Sequence, residues 1–497
     1  MSILSYLAKA AAGIFYNIQK KVMRNAVADQ EKTMRELVQK ARNTRFGHDH
    51  HFGNIHSYED FKKHVPIRDY EGIKHYIELI KNGEKDILWP GKPAYFAKTS
   101  GTTSGTKYIP ITKESMQNHI RSTAKSLLTY IATTGNSDFI NGKMIFLSGS
   151  PTLDEVGGIP TGRLSGISNH HVPGFLRKRQ VPSYETNCIE DWETKLDKIV
   201  EETIDKDMTL IGGIPPWIQM YFDKLYEKTG KKVIELFPNF SVLVYGGVNF
   251  EPYKQKLFES IGKEVDSIEL FPASEGSFAY QDVQGQKGML LTSNEGIFYE
   301  FVPAEEIHDE NPTRLYLRDV EIGKNYALII NNNAGLWGYN IGDTVKFVSI
   351  DPYRLIVSGR TKHYISAFGE HVIGEEVESA LSETLKKYPA QITECTVAPL
   401  VAQEEGKSHH QWFIEFEKQP DDLEAFAEEL DMHLRKKNTY YDDLIAGNIL
   451  QRLQIISVKR DAFINYMKSI GKLGGQNKLP RLSNDRKIAE VLEKEQL

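Results

Sequence analysis

Cysteine is scarce in this sequence: Cys188 and Cys395 are the only two among 497 residues. Two widely separated cysteines do not form the dense disulfide framework of small secreted domains, so we expect reduced thiols and a cytoplasmic protein. Neither cysteine lies in the paired spacing of cysteine and histidine that structural zinc sites need. These absences exclude a disulfide-stapled domain and a zinc-finger class of protein.

A strong excess of one charge is also missing. The chain has 61 lysines and arginines against 67 aspartates and glutamates, which gives a net charge of −6. Proteins that bind nucleic acid or anionic membranes through their overall charge are basic. The balance therefore argues against a general nucleic-acid or membrane binder.

No uninterrupted apolar run is long enough to span a bilayer. The longest candidate, MSILSYLAKAAAGIFYNIQKKV at the start, is interrupted by Lys9 and followed by polar residues. Its apolar spacing predicts an amphipathic helix whose apolar face packs on the rest of the protein, and contact with a membrane surface is the alternative. The predicted packing face consists of Ile3, Leu4, Leu7, Ala11, Ile14, Phe15 and Ile18.

What remains is an ordinary globular composition, with 40% hydrophobic and 26% charged residues. A chain of this length is too long to fold around one simple hydrophobic core, so we expect more than one domain. Strand patterns at Met208–Gly212, Val242–Tyr245 and Ser267–Phe271 alternate with helical ones and favour an α/β architecture. The pattern changes near residue 360, which predicts an N-terminal domain at 1–360 and a C-terminal domain at 361–497.

The C-terminal domain is predicted to be α+β. A helix is expected at about Gly374–Lys387, strands at Glu394–Ala398 and His410–Phe416, and a second helix at Pro420–Lys437. A lysine-rich tail comes after these elements, and no element is predicted for it. The size of the domain is that of an ordinary separate domain.

A stretch rich in glycine and hydroxyl groups, KTSGTTSGTKYIPIT, occupies residues 98–112. Gly101 and Gly105 leave room for backbone N–H groups to approach phosphate oxygens, and Lys107 adds a positive charge. The spacing matches neither the Walker A loop nor the dinucleotide-binding pattern. The residues alone leave a phosphate-binding loop and a flexible linker both open.

Three later stretches each carry a charged residue near a predicted turn. In LFPASEG, Glu275 is an oxygen ligand suited to Mg²⁺ and Phe271 is suited to border a planar base, whereas a helix N-cap is the alternative. In YNIGD, Asp343 either accepts hydrogen bonds from ribose hydroxyls or caps a turn. In GGQNKLPR, Lys478 is either a cation delivered to a ligand or a solvated lysine.

The order of these stretches resembles that of a known superfamily. TSGTTSGTKYIPIT, GIPPWI, YGGVNFEPY, FPASEG, YNIGD and GQNKLPR look like motifs of the auxin-responsive acyl acid–amido synthetases of plants and their bacterial relatives. The resemblance covers residues 42–481, which is most of the chain. Four segments are similar to successive core motifs of adenylate-forming enzymes in general: Ser100–Lys107, Phe271–Glu275, Tyr339–Asp343 and Gly359–Arg360.

The resemblance implies a fold and a reaction. The fold is α/β, with a large N-terminal domain of α/β and β-barrel subdomains and a small, mobile α+β C-terminal domain. In the reaction, a carboxylate attacks the α-phosphorus of Mg-ATP to give an acyl-adenylate and pyrophosphate. An amine, usually of an amino acid, then displaces AMP. We therefore expect an ATP-dependent ligase that uses ATP and Mg²⁺, with a carboxylic acid and an amino acid as small-molecule partners.

The resemblance also assigns roles to residues of this sequence. Lys478, Glu275 and Lys107 would be catalytic, and Glu275 would also hold the metal ion. Lys478 would be carried to the anionic adenylation transition state by the small domain. The residues expected to bind the nucleotide are Ser100, Gly101, Thr102, Thr103, Gly246, Gly247, Phe271, Ser274, Asp343 and Arg360.

Some positions depart from the superfamily pattern. His363 comes after Lys362 where the hinge usually carries aspartate, and Asn340 stands where arginine often precedes I-G-D. Two alternatives to amide synthesis are open. One is transfer of the acyl group to coenzyme A, because nothing in the sequence settles the acceptor. The second is a nucleotide-binding protein that has lost catalysis, which these departures motivate. Retention of Lys107, Glu275, Asp343 and Lys478 argues against the second.

The acyl pocket is the least specified part of the prediction. Residues 162–173 and 213–220 are expected to line it. His170, Trp217 and Tyr253 are interpreted either as substrate contacts or as packing residues. The sequence does not distinguish aromatic from aliphatic acids and indicates no oligomeric state.

Overall fold

The computed structural model describes residues 2–100, 106–172, 174–247, 250–361, 364–365, 367, 370, 372–401, 408–446, 450–473, 478–483 and 485–497. The α-helices are α1 (Ile3–Arg24), α2 (Ala26–Ala41), α3 (Arg45–Asp49), α4 (Tyr58–His64), α5 (Tyr70–Lys81), α6 (Lys113–Thr134), α7 (Leu164–His170), α8 (Gly174–Arg177), α9 (Tyr184–Asn187), α10 (Trp192–Thr203), α11 (Pro215–Thr229), α12 (Val233–Leu236), α13 (Glu251–Ile261), α14 (Gly374–Lys387), α15 (Leu423–Lys437), α16 (Thr439–Ala446), α17 (Ala462–Ser469) and α18 (Ala489–Leu492).

The strands are β1 (Tyr95–Ser100), β2 (Thr106–Ile111), β3 (Lys143–Phe146), β4 (Asp154–Val156), β5 (Ile159–Gly162), β6 (Gln180–Val181), β7 (Met208–Gly213), β8 (Val242–Gly246), β9 (Asp266–Ala273), β10 (Gly276–Tyr280), β11 (Met289–Leu291), β12 (Ile297–Pro303), β13 (Leu315–Tyr316), β14 (Asn325–Asn332), β15 (Tyr339–Ile350), β16 (Tyr353–Arg360), β17 (Tyr364–Ile365), β18 (Val372–Ile373), β19 (Gln391–Leu400), β20 (His409–Lys418) and β21 (Gln454–Val458).

Local sequence explains where individual helices begin and end. In α6, the Thr112 side chain accepts a hydrogen bond from the Ser115 N–H and the Ser115 side chain accepts one from the Thr112 N–H, a reciprocal capping box. The helix ends at Gly135, whose φ of 74° lies in the left-handed region that favours glycine. In α5, Ile73 and Ile77 are buried one turn apart on the face that enters the core.

Two sheets of the described residues position the candidate site. The larger has the strand order β13-β12-β14-β15-β16-β11-β10-β9-β8-β7-β3-β6, and the smaller the order β2-β1-β5-β4. Strands β6, β3, β7, β8 and β9 are parallel, and the hairpin pairing of β9 with β10 begins the antiparallel part. The predicted mixed α/β class is confirmed. The antiparallel strands, for which the resemblance implied a β-barrel subdomain, continue the parallel strands in the same hydrogen-bonded order.

The chain separates into two compact units that are not continuous in sequence. The first unit contains residues 1–214, 233–247 and 265–356, and the second contains residues 215–232, 248–264 and 357–497. Helices α11 and α13 belong to the second unit, where α13 packs on α14 and β19. The smaller unit thus includes the predicted C-terminal region, while the boundary at 360 and 361 stays a prediction.

The predicted packing face of α1 is wrong. Most apolar residues of that face, among them Ile3, Leu7, Ile14 and Ile18, are exposed, and the buried residues of the helix are Ser5, Ala12 and Gln19. The small and polar side lies on the protein because it hydrogen-bonds there: the Asn141 Nδ2 donates to the Ser5 Oγ at 3.0 Å. Along the part of the chain that the structure describes, no helix is apolar over a length sufficient to cross a membrane.

The lysine-rich tail, for which no element was predicted, is folded. Its strand β21 pairs in parallel with β20 and completes the sheet β19-β20-β21. Strand β21 has only five residues, and its partner lies 36 or more positions earlier in the sequence, so a local pattern gave little signal. Helix α14 was predicted with the correct bounds because its apolar spacing is strictly helical.

Candidate active site

The glycine-rich stretch at residues 98–112 contains the end of strand β1 and all of strand β2, and the two strands pair with each other. Ser100 lies opposite Thr106, and Thr99 opposite Lys107. This pairing argues against the linker alternative, because the stretch connects neighbouring antiparallel strands. The predicted residues Gly101, Thr102 and Thr103 lie outside the described residues.

Lys107 lies on β2 and is half-buried. Its ammonium group is 5.7 Å from the centroid of the Tyr70 ring. The Tyr70 hydroxyl in turn accepts a hydrogen bond from the Tyr108 N–H at 2.9 Å. The start of α5 therefore supports the strand that carries this lysine.

Gly246 and Gly247 lie at the carboxyl end of β8, and both positions require glycine. A Cβ atom on Gly246 would lie 2.5 Å from the carbonyl oxygen of Leu270 on the paired strand β9. Gly247 has a φ of 88°, in the left-handed region. Because ligands of open α/β sheets bind at the carboxyl ends of strands, this glycine pair lies where a ligand is expected.

Ser274 and Glu275 form the two-residue turn between β9 and β10, since Ala273 pairs with Gly276. The helix N-cap alternative is therefore wrong. The Glu275 carbonyl oxygen accepts a hydrogen bond from the Asn332 Nδ2 at 2.7 Å, and the residue is half-buried. A carboxylate is thus held at the strand end next to that of Gly246.

Phe271 lies on β9, beside the residue that pairs with Gly246. Its side chain is buried in the main hydrophobic core, and its ring packs edge-on against Phe278 with 5.0 Å between centroids. The ring therefore has a packing role in the structure. Contact with a base stays a prediction.

Asp343 lies in a bulge of β15 and not at the predicted turn. Ala327 pairs with Thr344 and Ile329 with Asn340, so residues 341–343 lie opposite the single residue 328. Gly342 within the bulge has a φ of 87°, and its N–H donates to the Asn340 Oδ1 at 2.8 Å. The position of this half-buried residue is therefore set by the bulge and not by the regular alternation of the strand.

Arg360 and Lys478 belong to the second compact unit. Arg360 ends β16 and is exposed, and Lys478 is exposed on a segment without regular structure. The departure at Lys362 and His363 lies outside the described residues. The nucleotide contact of Arg360 and the catalytic role of Lys478 stay predictions.

The segment after Lys478 is bonded to strand β19. The Thr396 Oγ1 donates to the Pro480 carbonyl oxygen at 2.8 Å, and the Val397 N–H donates to the Arg481 carbonyl oxygen at 3.0 Å. The Ser483 N–H donates to the Val397 carbonyl oxygen at 2.9 Å. Lys478 therefore lies two residues before a backbone segment that these hydrogen bonds hold against β19.

Arg481 is the centre of a buried cluster that sequence reasoning missed. Its guanidinium group bonds Glu378 at 3.2 Å and Glu394 at 2.8 Å, and it donates to the Tyr253 hydroxyl at 3.2 Å. The same group contacts the Cys395 sulfur at 3.0 Å, and burial raises the pKa of this thiol to about 11. The signal was present, because Arg481 and Tyr253 both lie in motifs that carry the resemblance.

The three residues predicted as substrate contacts or packing residues each have contacts within the protein. The Tyr253 hydroxyl lies 3.1 Å from both carboxylate oxygens of Glu394, and Trp217 is buried in α11. His170 bonds the Pro151 carbonyl oxygen through its Nε2 at 2.8 Å. These contacts do not define an acyl pocket, so its lining stays a prediction.

Lys195 is a second residue that was missed. Its side chain is only 2% exposed, and its Nζ donates to the carbonyl oxygens of Ser148 and Asn187, both at 2.8 Å. Burial lowers its pKa to about 8. The lysine thereby fixes the loop after the carboxyl end of β3, on the same edge of the sheet as Gly246.

A cavity of about 840 Å³ lies elsewhere, at the amino ends of strands β3 and β7. It contains none of the predicted site residues, and it lies at the opposite ends of these strands from the glycine pair. The lining residues are Asn141, Gly142, Lys143, Gly174, Lys178, Arg179, Asp205, Lys206 and Asp207.

The fold is similar to that of a solved acyl-CoA ligase. A solved 2-hydroxyisobutyryl-CoA ligase superposes with a TM-score of 0.60 over 94% of this chain and 90% of its own, at 12% identity. Models of the GH3 family match this chain with their N-terminal domain at residues 16–181, their central domain at 290–360 and their C-terminal domain at 375–487. The chain belongs to the GH3 family, which confirms the predicted family and its class of ligase.

Individual relatives agree with this assignment. The indole-3-acetic acid-amido synthetase GH3.3 of Arabidopsis thaliana is 22% identical over 95% of this chain and 92% of its own length. The jasmonoyl–L-amino acid synthetase JAR4 of Nicotiana attenuata is 22% identical over 64% of this chain and 66% of its own length. The solved GH3.15 acyl acid amido synthetase has a TM-score of 0.79, with 98% of this chain and 96% of its own covered at 16% identity.

Proposed function

We propose that this chain adenylates a carboxylic acid with ATP and then joins the acyl group to the amino group of an amino acid. The observation that carries the proposal is the family match along the chain, together with the glycine pair and a carboxylate at neighbouring strand ends. The names of the plant relatives support an amino acid as the acceptor class. The proposed setting is the cytoplasm, where both cysteines remain free thiols.

The two steps balance without a further reactant. A carboxylate oxygen attacks the α-phosphorus of ATP, and the bond to the β-phosphate bridging oxygen breaks, which releases pyrophosphate. The neutral amine then attacks the acyl carbon, and the bond to AMP breaks with loss of one proton. The chain has to position the reactants and neutralise negative charge, since phosphoryl transfer depends mainly on these two effects.

The proposed nucleotide contacts are those of the motifs. Gly246 and Gly247 leave backbone exposed to the base, and Asp343 would accept hydrogen bonds from the ribose. Lys107 would neutralise the phosphates, with Ser274 beside Glu275 near the α-phosphate. The remaining proposed contacts are Ser100, Gly101, Thr102, Thr103, Phe271 and Arg360.

A magnesium ion fits the chemistry of Glu275. Among the described residues, no group of three His, Cys, Asp or Glu side chains is arranged to hold a metal ion. Mg²⁺ bound with ATP needs only one or two carboxylates, because phosphate oxygens and water complete its octahedral shell. Glu275, half-buried in its turn, is the proposed ligand, and the ion would offset phosphate charge.

Coenzyme A is the second candidate acceptor. The similarity to a CoA ligase is a similarity of fold alone, at 12% identity, so it does not favour this acceptor over an amine. The acceptor is decided by pyrophosphate–ATP exchange across a panel of carboxylic acids, with amino acids or coenzyme A added afterwards. We expect exchange with at least one acid, which reports adenylation. After an amino acid is added, we expect AMP and an amide as products. Release of ADP would exclude adenylation, and exchange with no acid would favour a binding protein.

Lys478 provides the test of the proposed catalysis. We expect Lys478→Ala to slow exchange at least about a hundredfold while the Kd for ATP changes less than about threefold, because the lysine stabilises charge in the transition state. Lys472→Ala, which removes an exposed lysine from the same part of the chain, is the control and should change neither. Equal losses of exchange and ATP affinity in Lys478→Ala would show that the lysine only binds the nucleotide.

A further inference from the structure

The outward face of α1 is apolar. Ile3 is 82% exposed, Ile14 67%, Ile18 59% and Leu7 58%. At about 100° per residue, these four side chains lie within roughly 60° of one another around the helix. The opposite side, with Ser5, Ala12 and Gln19, is the side that packs on the protein. A soluble helix normally has the reverse arrangement, so this face is suited to contact with something outside the chain.

The charges of α1 select the kind of partner. Its sequence contains four basic residues and no aspartate or glutamate; at about 100° per residue, Arg24 borders the apolar face and Lys21 lies within it at the carboxyl end of the helix. A second copy of the same helix would bring four more positive charges and no counter-charge, which argues against self-pairing through α1. An anionic surface supplies the missing charge. The basic residues are Lys9, Lys20, Lys21 and Arg24.

A cationic cavity adjoins the amino end of the same helix. Ser2, the N-cap of α1, donates from its Oγ to the Asn141 Oδ1 at 2.5 Å, and Asn141 lines the cavity of about 840 Å³. The Arg179 Nη1 donates to the Asn141 carbonyl oxygen at 2.5 Å, which holds that guanidinium at the cavity wall. The lining includes four basic side chains, Lys143, Lys178, Arg179 and Lys206, against two carboxylates, Asp205 and Asp207.

We propose that α1 and this cavity form a docking surface for membranes that contain anionic phospholipid. The apolar face lies at the boundary between head groups and acyl chains, as in interfacial amphipathic helices, and the cavity accepts a phosphate head group. The chain lies on the bilayer and does not cross it. Since the net charge is −6, attachment depends on the local basic residues and weakens with salt.

Vesicle sedimentation of the 497-residue chain tests the proposal. We expect it to bind vesicles of phosphatidylcholine with about one third phosphatidylglycerol and to bind pure phosphatidylcholine at least roughly tenfold more weakly. Ile18→Glu should lower the partition coefficient at least about tenfold, because it places a charge in the apolar face. Ile322→Glu is the matched control, since Ile322 is also 59% exposed but lies outside α1. An equal loss in the control would overturn the role of α1.

Charge reversal tests the cavity separately. Lys178→Glu with Lys206→Glu should weaken binding to anionic vesicles roughly tenfold and leave binding to neutral vesicles unchanged. Lys85→Glu with Lys287→Glu makes the same change in net charge at exposed positions outside the cavity and should have little effect. Equal effects of the two double variants would show that only the net charge of the protein matters, and would overturn the role of the cavity.

Two further outcomes would overturn the whole proposal. The first is self-association of the chain without vesicles that Ile18→Glu abolishes, which would make the face a dimer surface. The second is equal binding to neutral and anionic vesicles at all salt concentrations. Thermal unfolding of each variant shows that it is folded. Pyrophosphate–ATP exchange in solution, which should be unchanged, separates this proposal from the proposed function.

Discussion

Lys195 illustrates how a single buried side chain shapes the candidate site. Its ammonium group donates hydrogen bonds to two backbone carbonyl groups, one of them that of Ser148 after strand β3. The side chain is almost completely buried. Burial disfavours the charged form, which is why its pKa is lowered from 10.5 to about 8. The sequence showed only a lysine within a helical pattern.

The pH dependence of unfolding tests this residue. Between pH 8 and 10.5 the unfolded chain binds the Lys195 proton and the folded chain does not, so the free energy of unfolding gains a positive slope of up to about 1.4 kcal/mol per pH unit. Lys195→Met should lack this contribution in urea unfolding measured from pH 8 to 10. Lys198→Met, with an exposed ammonium whose pKa is raised by Glu201, should keep it. Equal slopes in wild type and Lys195→Met would contradict the burial of a charged lysine.

At the scale of elements, the decisive feature is the bulge in β15. It turns Asp343 away from the regular alternation of the strand, and Gly342 makes it possible through its positive φ. A turn was predicted there because glycine before aspartate is a common turn signal. The bulge depends on pairing with β14, which local sequence does not specify.

Gly342→Ala tests whether the bulge serves ATP binding. Alanine at a φ of 87° should cost about 1–2 kcal/mol and displace Asp343, so we expect the KM for ATP to rise at least about tenfold. Gly323→Ala is the control, because Gly323 has a φ of 83° with open space around it and lies outside the proposed site. It should cost similar stability and leave the KM unchanged. A rise in the KM for ATP in both variants would show that the loss of stability, and not the displacement of Asp343, causes the effect.

At the scale of the whole molecule, each of the two compact units combines three separate ranges of the sequence, so a single domain boundary does not describe them. Helix α13 lies in the second unit, and its Tyr253 joins the cluster around Arg481. Arg481 pairs with Glu378 and Glu394 at 12% exposure, whereas Arg452 pairs with Glu424 and Glu428 at 37% exposure. The cluster around Arg481 should therefore stabilise the second unit much more than the ion pairs of Arg452 do.

Hydrogen exchange in urea separates these contributions. We expect Arg481→Met to cost about 3–5 kcal/mol, because it removes the positive charge that lies between two largely buried carboxylates, and Arg452→Met less than about 1 kcal/mol. In Arg481→Met, residues 248–264 should lose protection together with residues 375–487, while residues 290–350 keep theirs. Loss of protection at 290–350 together with 248–264 would instead favour the predicted boundary at residue 360.

The sequence by itself determined the family, the class of reaction and most elements of the fold. Helix α14 and strand β9 are evident from local periodicity, and the ordered motifs carry the resemblance, because both depend on residues close together in the chain. Glu275 and Gly246 were predicted as site residues in this way, from the motifs in which they lie.

Only the tertiary structure decided which faces are buried and which side chains meet. The apolar spacing of α1 indicated a helix but not that its polar side packs inward, since periodicity shows a face and not its neighbour. Arg481 and Tyr253 are 228 positions apart, and their contact exists only after folding. The same holds for the basic cavity beside α1, whose lining residues lie in separate parts of the sequence and come together only in the fold.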